Sequence, residues 1–156
     1  MKIIGSLRDS DEVQKRIIKK LEEAKSKDKQ GRVGFVSGPF FSNGPLRVVR
    51  NYRQLRKYAR HLRESVDFPV FSAIDFISRA ALMKLTSQNY HTGEFWKKII
   101  GSGFVTDIYM APNWEKSKGA RSEHEAAKEC GIKINYLKHF GSDGFQQTLD
   151  PGRLTA

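Results

Sequence analysis

An α/β domain, with a parallel sheet covered by helices, is the fold class predicted by this 156-residue sequence. Three observations point there. Short apolar runs alternate with amphipathic helical stretches along most of the chain. The runs are bounded by Gly, Pro and Ser, as buried strands are. The length suits one domain, 1–156, and leaves little room for a second.

The composition supports a packed core. Hydrophobic residues make up 38% and charged residues 29%, with 10 Phe, 5 Tyr and 2 Trp, which excludes wholesale disorder. No apolar run approaches the ~20 residues of a membrane span, and the N-terminus lacks an apolar stretch followed by small residues. The expectation is a soluble, cytoplasmic protein without an export signal. A lone Cys130 excludes an internal disulfide and a Cys-based zinc site, and suits a reducing compartment. His91 and His124 have no matching ligand partners, so no metal site is expected. The 28 Lys+Arg against 17 Asp+Glu give a formal charge of +11, which favours phosphorylated or polyanionic partners over a membrane.

Element by element, Met1 to Leu7 reads as a short strand. Asp9 to Lys29 reads as a helix, part of a basic extension over 1–32. Val13, Ile17, Ile18, Leu21 and Ala24 share one face, with acids first and lysines last, in the order of the helix macrodipole. Val33 to Ser37 is a buried strand, followed by the turn-rich loop Gly38 to Pro45. Pro45 starts a helix reaching about Val66, in which Val48, Val49, Tyr52, Leu55, Ala59 and Leu62 keep helical spacing between arginines. Phe68 to Ser72 is a second strand, and Ile74 to Leu85 and Gly93 to Ile100 are helical. Phe104 to Met110 is a third strand, Ser122 to Cys130 a helix, and Ile132 to Leu137 a fourth strand. The tail from Lys138 has no periodicity. This order is that of a Rossmann-like (flavodoxin-like) sheet, in which ligands sit beyond the carboxyl ends of the strands. Function is therefore sought where Gly38 to Pro45, the residues after Phe71, and the loop Ala111 to Arg121 converge.

The densest chemistry lies in Trp114-Glu-Lys-Ser117-Lys-Gly119-Ala120-Arg-Ser-Glu123-His-Glu125-Ala-Ala127. At 100° per residue, Glu123 shares a face with Ala127 and Cys130, and this small face packs on the sheet. Glu125 lies opposite, as a solvated acid or the capping-box partner of Ser122. Glu123 is then a first-turn carboxylate pointing along the buried face, with helix N–H groups keeping it ionised. That setting suits a carboxylate nucleophile; the plain alternative is a helix-start acid. Gly119 and Ala120 are equally consistent with a tight loop, Ser117 with a turn residue and Trp114 with a core lid.

The pattern Asp107…Trp114-x-x-Ser117-x-Gly119-Ala120-x-x-Glu123-x-x-x-Ala127-x-x-x-Gly131 resembles the nucleoside 2-deoxyribosyltransferase-like superfamily, and Phe35-Val-Ser-Gly-Pro-Phe-Phe41 resembles its first strand and substrate loop. The superfamily holds nucleoside deoxyribosyltransferases and 2′-deoxynucleoside 5′-monophosphate N-glycosidases, and the Trp114–Ala127 form is closest to its uncharacterised phage and bacterial members. The resemblance covers roughly 33–137. It implies that Glu123 attacks the anomeric carbon of a nucleoside, forming a covalent glycosyl-enzyme opened by water or another base. A fixed anion beneath C1′ stabilises an oxocarbenium-like transition state. The leaving base needs a proton. The superfamily takes it from an Asp before the helix preceding the third strand; here Glu94 occupies roughly that place.

The resemblance also implies a substrate-binding set of Ser37, Gly38, Pro39, Phe40, Asn43, Asp107, Trp114, Ser117, Gly119 and Ala120. Six residues before the nucleophile, nucleoside transferases tend to carry Asp and nucleotide hydrolases Ser. Ser117, between Lys116 and Lys118, therefore favours a 5′-phosphate, with Ser42 and Arg47 as further phosphate contacts. Phe40, Phe71, Tyr109 and Trp114 are candidates to stack a base. Asp107 is expected near the strand end, in a structural or sugar-contacting role. No cofactor is implied, and by analogy the chain forms a homodimer or larger assembly. The expected function is hydrolysis, or base exchange, of a nucleoside 5′-monophosphate. The alternatives are a nucleotide-binding protein of the same fold without turnover, and a nucleic-acid-binding module using the helix from Arg47 to Arg63.

Overall fold

The computed structural model describes residues 10–39, 45–76, 92–139 and 147–149. Its elements are α1 (Ser10–Lys27), β1 (Gly34–Ser37), α2 (Pro45–Ser65), β2 (Val70–Ser72), α3 (Ala73–Phe76), α4 (Thr92–Ile100), β3 (Asp107–Met110), a 3₁₀ turn (Trp114–Lys116), α5 (Lys118–Glu129), β4 (Lys133–Leu137) and β5 (Gln147–Leu149). The sheet order is β2-β1-β3-β4-β5. The first four strands are mutually parallel, and β5 pairs antiparallel with β4. This is the expected Rossmann-like arrangement. The expected strand Met1 to Leu7 and the expected helix beyond Phe76 lie outside the described residues.

Every residue of β1 and β3 is buried, as central strands covered on both faces should be. The connection β1–α2–β2 runs one way along the sheet, and β3–α5–β4 runs the other. Right-handed crossovers in opposite directions put α2 on one face and α5 on the other. The sequence order therefore reverses between β1 and β3, which makes their carboxyl ends the topological switch point.

The N-terminal helix belongs to the same core. Ile17 and Leu21 of α1 are fully buried, alongside Ile99 and Ile100 of α4. Gln14 Nε2 donates to Phe95 O at 2.9 Å, and Lys25 Nζ to Gly103 O at 3.0 Å, tying both halves of α1 to the α4 unit. Gly131 turns the chain out of α5 at φ +67°, a conformation that favours glycine.

Two boundaries differ from expectation, with consequences for the site. The third strand begins at Asp107, because Phe104 and Val105 lead into the sheet without joining its ladder. The helix expected from Ser122 begins at Lys118 and is capped by Ser117, whose Oγ accepts from Ala120 N at 3.3 Å.

Candidate functional site

At the switch point, Ser37 ends β1 and pairs with Met110 at the end of β3, and Ala111 N donates to Ser37 O at 2.7 Å. The two strands leave the sheet almost touching. A Cβ on Gly38 would lie 2.7 Å from the Ala111 Cβ, closer than side chains tolerate, so glycine is required there for the approach.

Glu123 reaches into this corner from α5. Its exposure is 7%, and the Ser37 hydroxyl, itself 2% exposed, donates to Glu123 Oε2. Glu123 and Ala127 lie on the buried helix face as expected, and Ala120, His124 and Ala126 complete it. Cys130 does not join it; the residue is the C-cap and is exposed. Glu125 is exposed, as its opposite position requires.

The earlier start of α5 changes the electrostatics of Glu123. It is the sixth residue of the helix, in the second turn, beyond the free N–H groups that would hold a first-turn carboxylate ionised. Burial dominates and pushes the carboxyl up to about 7, while the Ser37 hydrogen bond pulls in the opposite direction. Ser122, four residues into the helix, is not a cap, so the capping-box role of Glu125 falls away.

Ser117 stands at the N-terminus of this 12-residue helix, buried at 6% exposure, with Gly119 and Ala120 in the first turn. Ser117 Oγ accepts from the backbone and keeps its own proton to give, beside the positive end of the helix. Trp114, half-buried, packs its ring against α5 and β4. Its ring stacks on His124 at 4.2 Å and 21°, and His124 Nε2 is hydrogen-bonded to the Tyr136 hydroxyl at 2.7 Å. Asn113, in the left-handed region at φ 64°, sets the turn that presents Trp114. The sequence presents His124 only as a histidine without matching metal-ligand partners; the structure buries it on the helix face. Its signal was helical: positions 120, 123, 124 and 127 share a face once the helix begins at Lys118.

Glu94 sits in the first turn of α4, which enters the sheet from the same carboxyl edge. It is exposed and, among the described residues, makes no hydrogen bond to Glu123 or Ser117. Pro39 follows Gly38 and is half-buried. Arg47 falls in the first turn of α2, also at this edge. Phe40, Ser42 and Asn43 lie outside the described residues.

Asp107 requires a correction. It is the first residue of β3, at the amino edge, paired in register with Gly34, while the site is at the other end. Arg32 Nη2 donates to Asp107 Oδ1 at 2.9 Å and Arg32 Nε to Oδ2 at 3.3 Å, and Thr106 Oγ1 donates to Oδ2 at 2.7 Å. The guanidinium also lies 3.9 Å over the Phe68 ring. Asp107 is held as a structural anchor, the first of the two roles expected for it, at the opposite edge of the sheet from Glu123. Tyr109 is likewise core, at 2% exposure, with burial pushing its phenol up to about 12, and Phe71 pairs with Phe76 at 5.5 Å. Of the expected base-stacking rings, Trp114 alone is placed by the structure at the site's edge among the described residues. No group of three His, Cys, Asp or Glu among them is placed to hold a metal ion.

Residues 90–136 match the model of a domain family of unknown function (DUF4406), a family with the nucleoside 2-deoxyribosyltransferase-like fold. The match spans α4, β3, the Trp114–Ala127 segment and most of β4, and it includes Glu94, Ser117 and Glu123. The chain matches no curated protein. Among the described residues no helix is long and apolar enough to cross a membrane.

Proposed function

We propose that the protein cleaves the N-glycosidic bond of a nucleoside 5′-monophosphate through a covalent sugar ester on Glu123. The single observation that carries this reading is a buried carboxylate at the switch point of a parallel sheet, held by a strand-end hydroxyl. Ser37 engages Oε2, which leaves Oε1 to attack C1′. The C1′–Oε1 bond forms as the C1′–N bond breaks, and the electron pair leaves with the base. The base takes a proton from Glu94 or from water. Water then attacks C1′, releases the carboxylate and gives the sugar 5-phosphate, returning a proton to the acid. A second base in place of that water gives transfer. Ser117 and the start of α5 supply donors to the phosphate, and the exposed lysines 116 and 118 add positive field.

A second reading, nucleotide binding without turnover, draws on Glu94, which is exposed and unconnected to Glu123. One experiment separates the two. The protein is incubated with ribo- and deoxyribonucleoside monophosphates and free base is measured by chromatography. Base release abolished by Glu123→Gln and retained by Glu125→Gln supports catalysis. Tight binding with no base from any monophosphate supports the second reading, and equal behaviour of the two variants refutes the assignment of Glu123.

A further inference from the structure

The basic face of α2 is not used by this site. The helix carries seven basic residues and one acid, Glu64, and no acid in its first turn. Arg47 and Arg50 fall in its first two turns, where cations oppose the macrodipole, so the pattern does not serve helix stability. By contrast α1 mixes six basic with four acidic residues, the composition of an ordinary solvated helix.

The geometry of α2 is one-sided. Leu55, Tyr58, Ala59 and Leu62 are buried on the sheet. Arg50, Arg53, Arg56, Lys57, Arg60 and Arg63 are all exposed. At 100° per residue these six cations occupy one arc of about 140°, centred roughly opposite the buried face. Arg50, Arg53 and Arg56 have no ion pair among the described residues. Arg60 meets Glu64 only at 3.7 Å with both side chains mostly in water, a weak pair. Arg63 is tied to Asp75 at 2.6 Å.

We infer that this face of α2 binds the phosphodiester backbone of a nucleic acid. Arg50 to Arg63 spans 13 residues, about 20 Å at 1.5 Å per residue, the axial rise of about six base pairs, over which phosphates of both strands bordering one groove lie along the helix. Five of the six cations are arginines, whose planar fork matches phosphate oxygens. A lipid surface fits less well, because the apolar face that an interfacial helix would insert is already packed on the sheet. The surface is independent of the Glu123 chemistry and stands or falls separately.

The test uses the full chain, a fluorescently labelled 20-base-pair DNA duplex and its single strand, with anionic phospholipid vesicles as the third arm. With about five phosphates neutralised, the slope of log affinity against log salt for the duplex is about −4.5, so a fourfold rise in salt weakens binding several hundredfold. Arg53→Gln/Arg56→Gln/Arg60→Gln, at three exposed positions, should cut that slope to about −2 and the salt effect to about tenfold. Lys15→Gln/Lys19→Gln/Lys27→Gln on α1 should leave the slope nearly unchanged, and Glu123→Gln should bind as the parent does. An unchanged slope in the α2 variant, an equal loss in the α1 variant, or tighter binding to vesicles than to either nucleic acid overturns the inference.

Discussion

Replacing Glu123 by Gln should make the protein more stable at mildly alkaline pH. The reason lies in the proton balance. The unfolded chain loses the Glu123 proton near 4.5, whereas burial raises the folded-state value to about 7. Between these values the native state binds more protons than the unfolded state, so stability falls as pH rises and then levels off. The interval corresponds to about 3 kcal/mol held against folding once the carboxylate is charged. Gln has nearly the same shape, can still accept from Ser37, and carries no charge. Urea melts of parent and variant should therefore coincide at about pH 4.5 and diverge by about 2–3 kcal/mol at about pH 8. For a chain of this size the thermal midpoint should rise by about 5–10 °C. Glu125→Gln, on the exposed face of the same helix, is the surface control for the substitution itself. Other titrating groups are common to both proteins and cancel in the difference. A stability gap that is the same at both pH values would refute the assignment of a buried carboxylate whose charge is penalised by desolvation.

Other outcomes follow from the same geometry. Ser37→Ala removes the hydroxyl that favours the charged carboxylate, so the acidic limb of kcat/KM should move to higher pH by about one unit or more; an unmoved limb would separate Glu123 from the rate. Ser117→Asp keeps a helix cap but places a negative charge at the phosphate position. KM for a monophosphate should rise about tenfold or more, with the corresponding nucleoside spared, and equal effects on both would remove the phosphate from this end of α5. Gly38→Ala sets a methyl 2.7 Å from the Ala111 Cβ and should cost about 1–3 kcal/mol by urea denaturation, with base release falling as Ser37 shifts; a neutral change would mean the two strand ends part freely.

Sheet and helix order were legible because burial imposes period. Ile17 and Leu21, and Leu55 to Leu62, repeat on helical spacing, while β1 and β3 are short continuous buried runs bounded by turn residues. Glu123 was legible for the same reason, since a carboxylate at the register of Ala127 must face the sheet. The start of its helix was not. Ser122-x-x-Glu125 has the form of a capping box, while the true cap, Ser117, is followed by Gly119, which reads as a loop residue although it sits inside the first turn. That displacement put Glu123 one turn too early and hid His124 from the buried face. Asp107 failed differently: Phe104 and Val105 are apolar enough to extend a strand pattern, yet the ladder starts after them, so the acid lands at the amino edge against Arg32. β5 has only three residues and draws its pairing from β4, leaving no period to detect.

The most direct measurement is mass spectrometry of the protein quenched in acid during reaction with a nucleoside monophosphate. A covalent sugar-phosphate mass should appear on the peptide containing Glu123, and should vanish in Glu123→Gln together with base release. A protein that releases base while the adduct sits on another peptide, or while Glu123→Gln releases base as fast as the parent, contradicts the proposal.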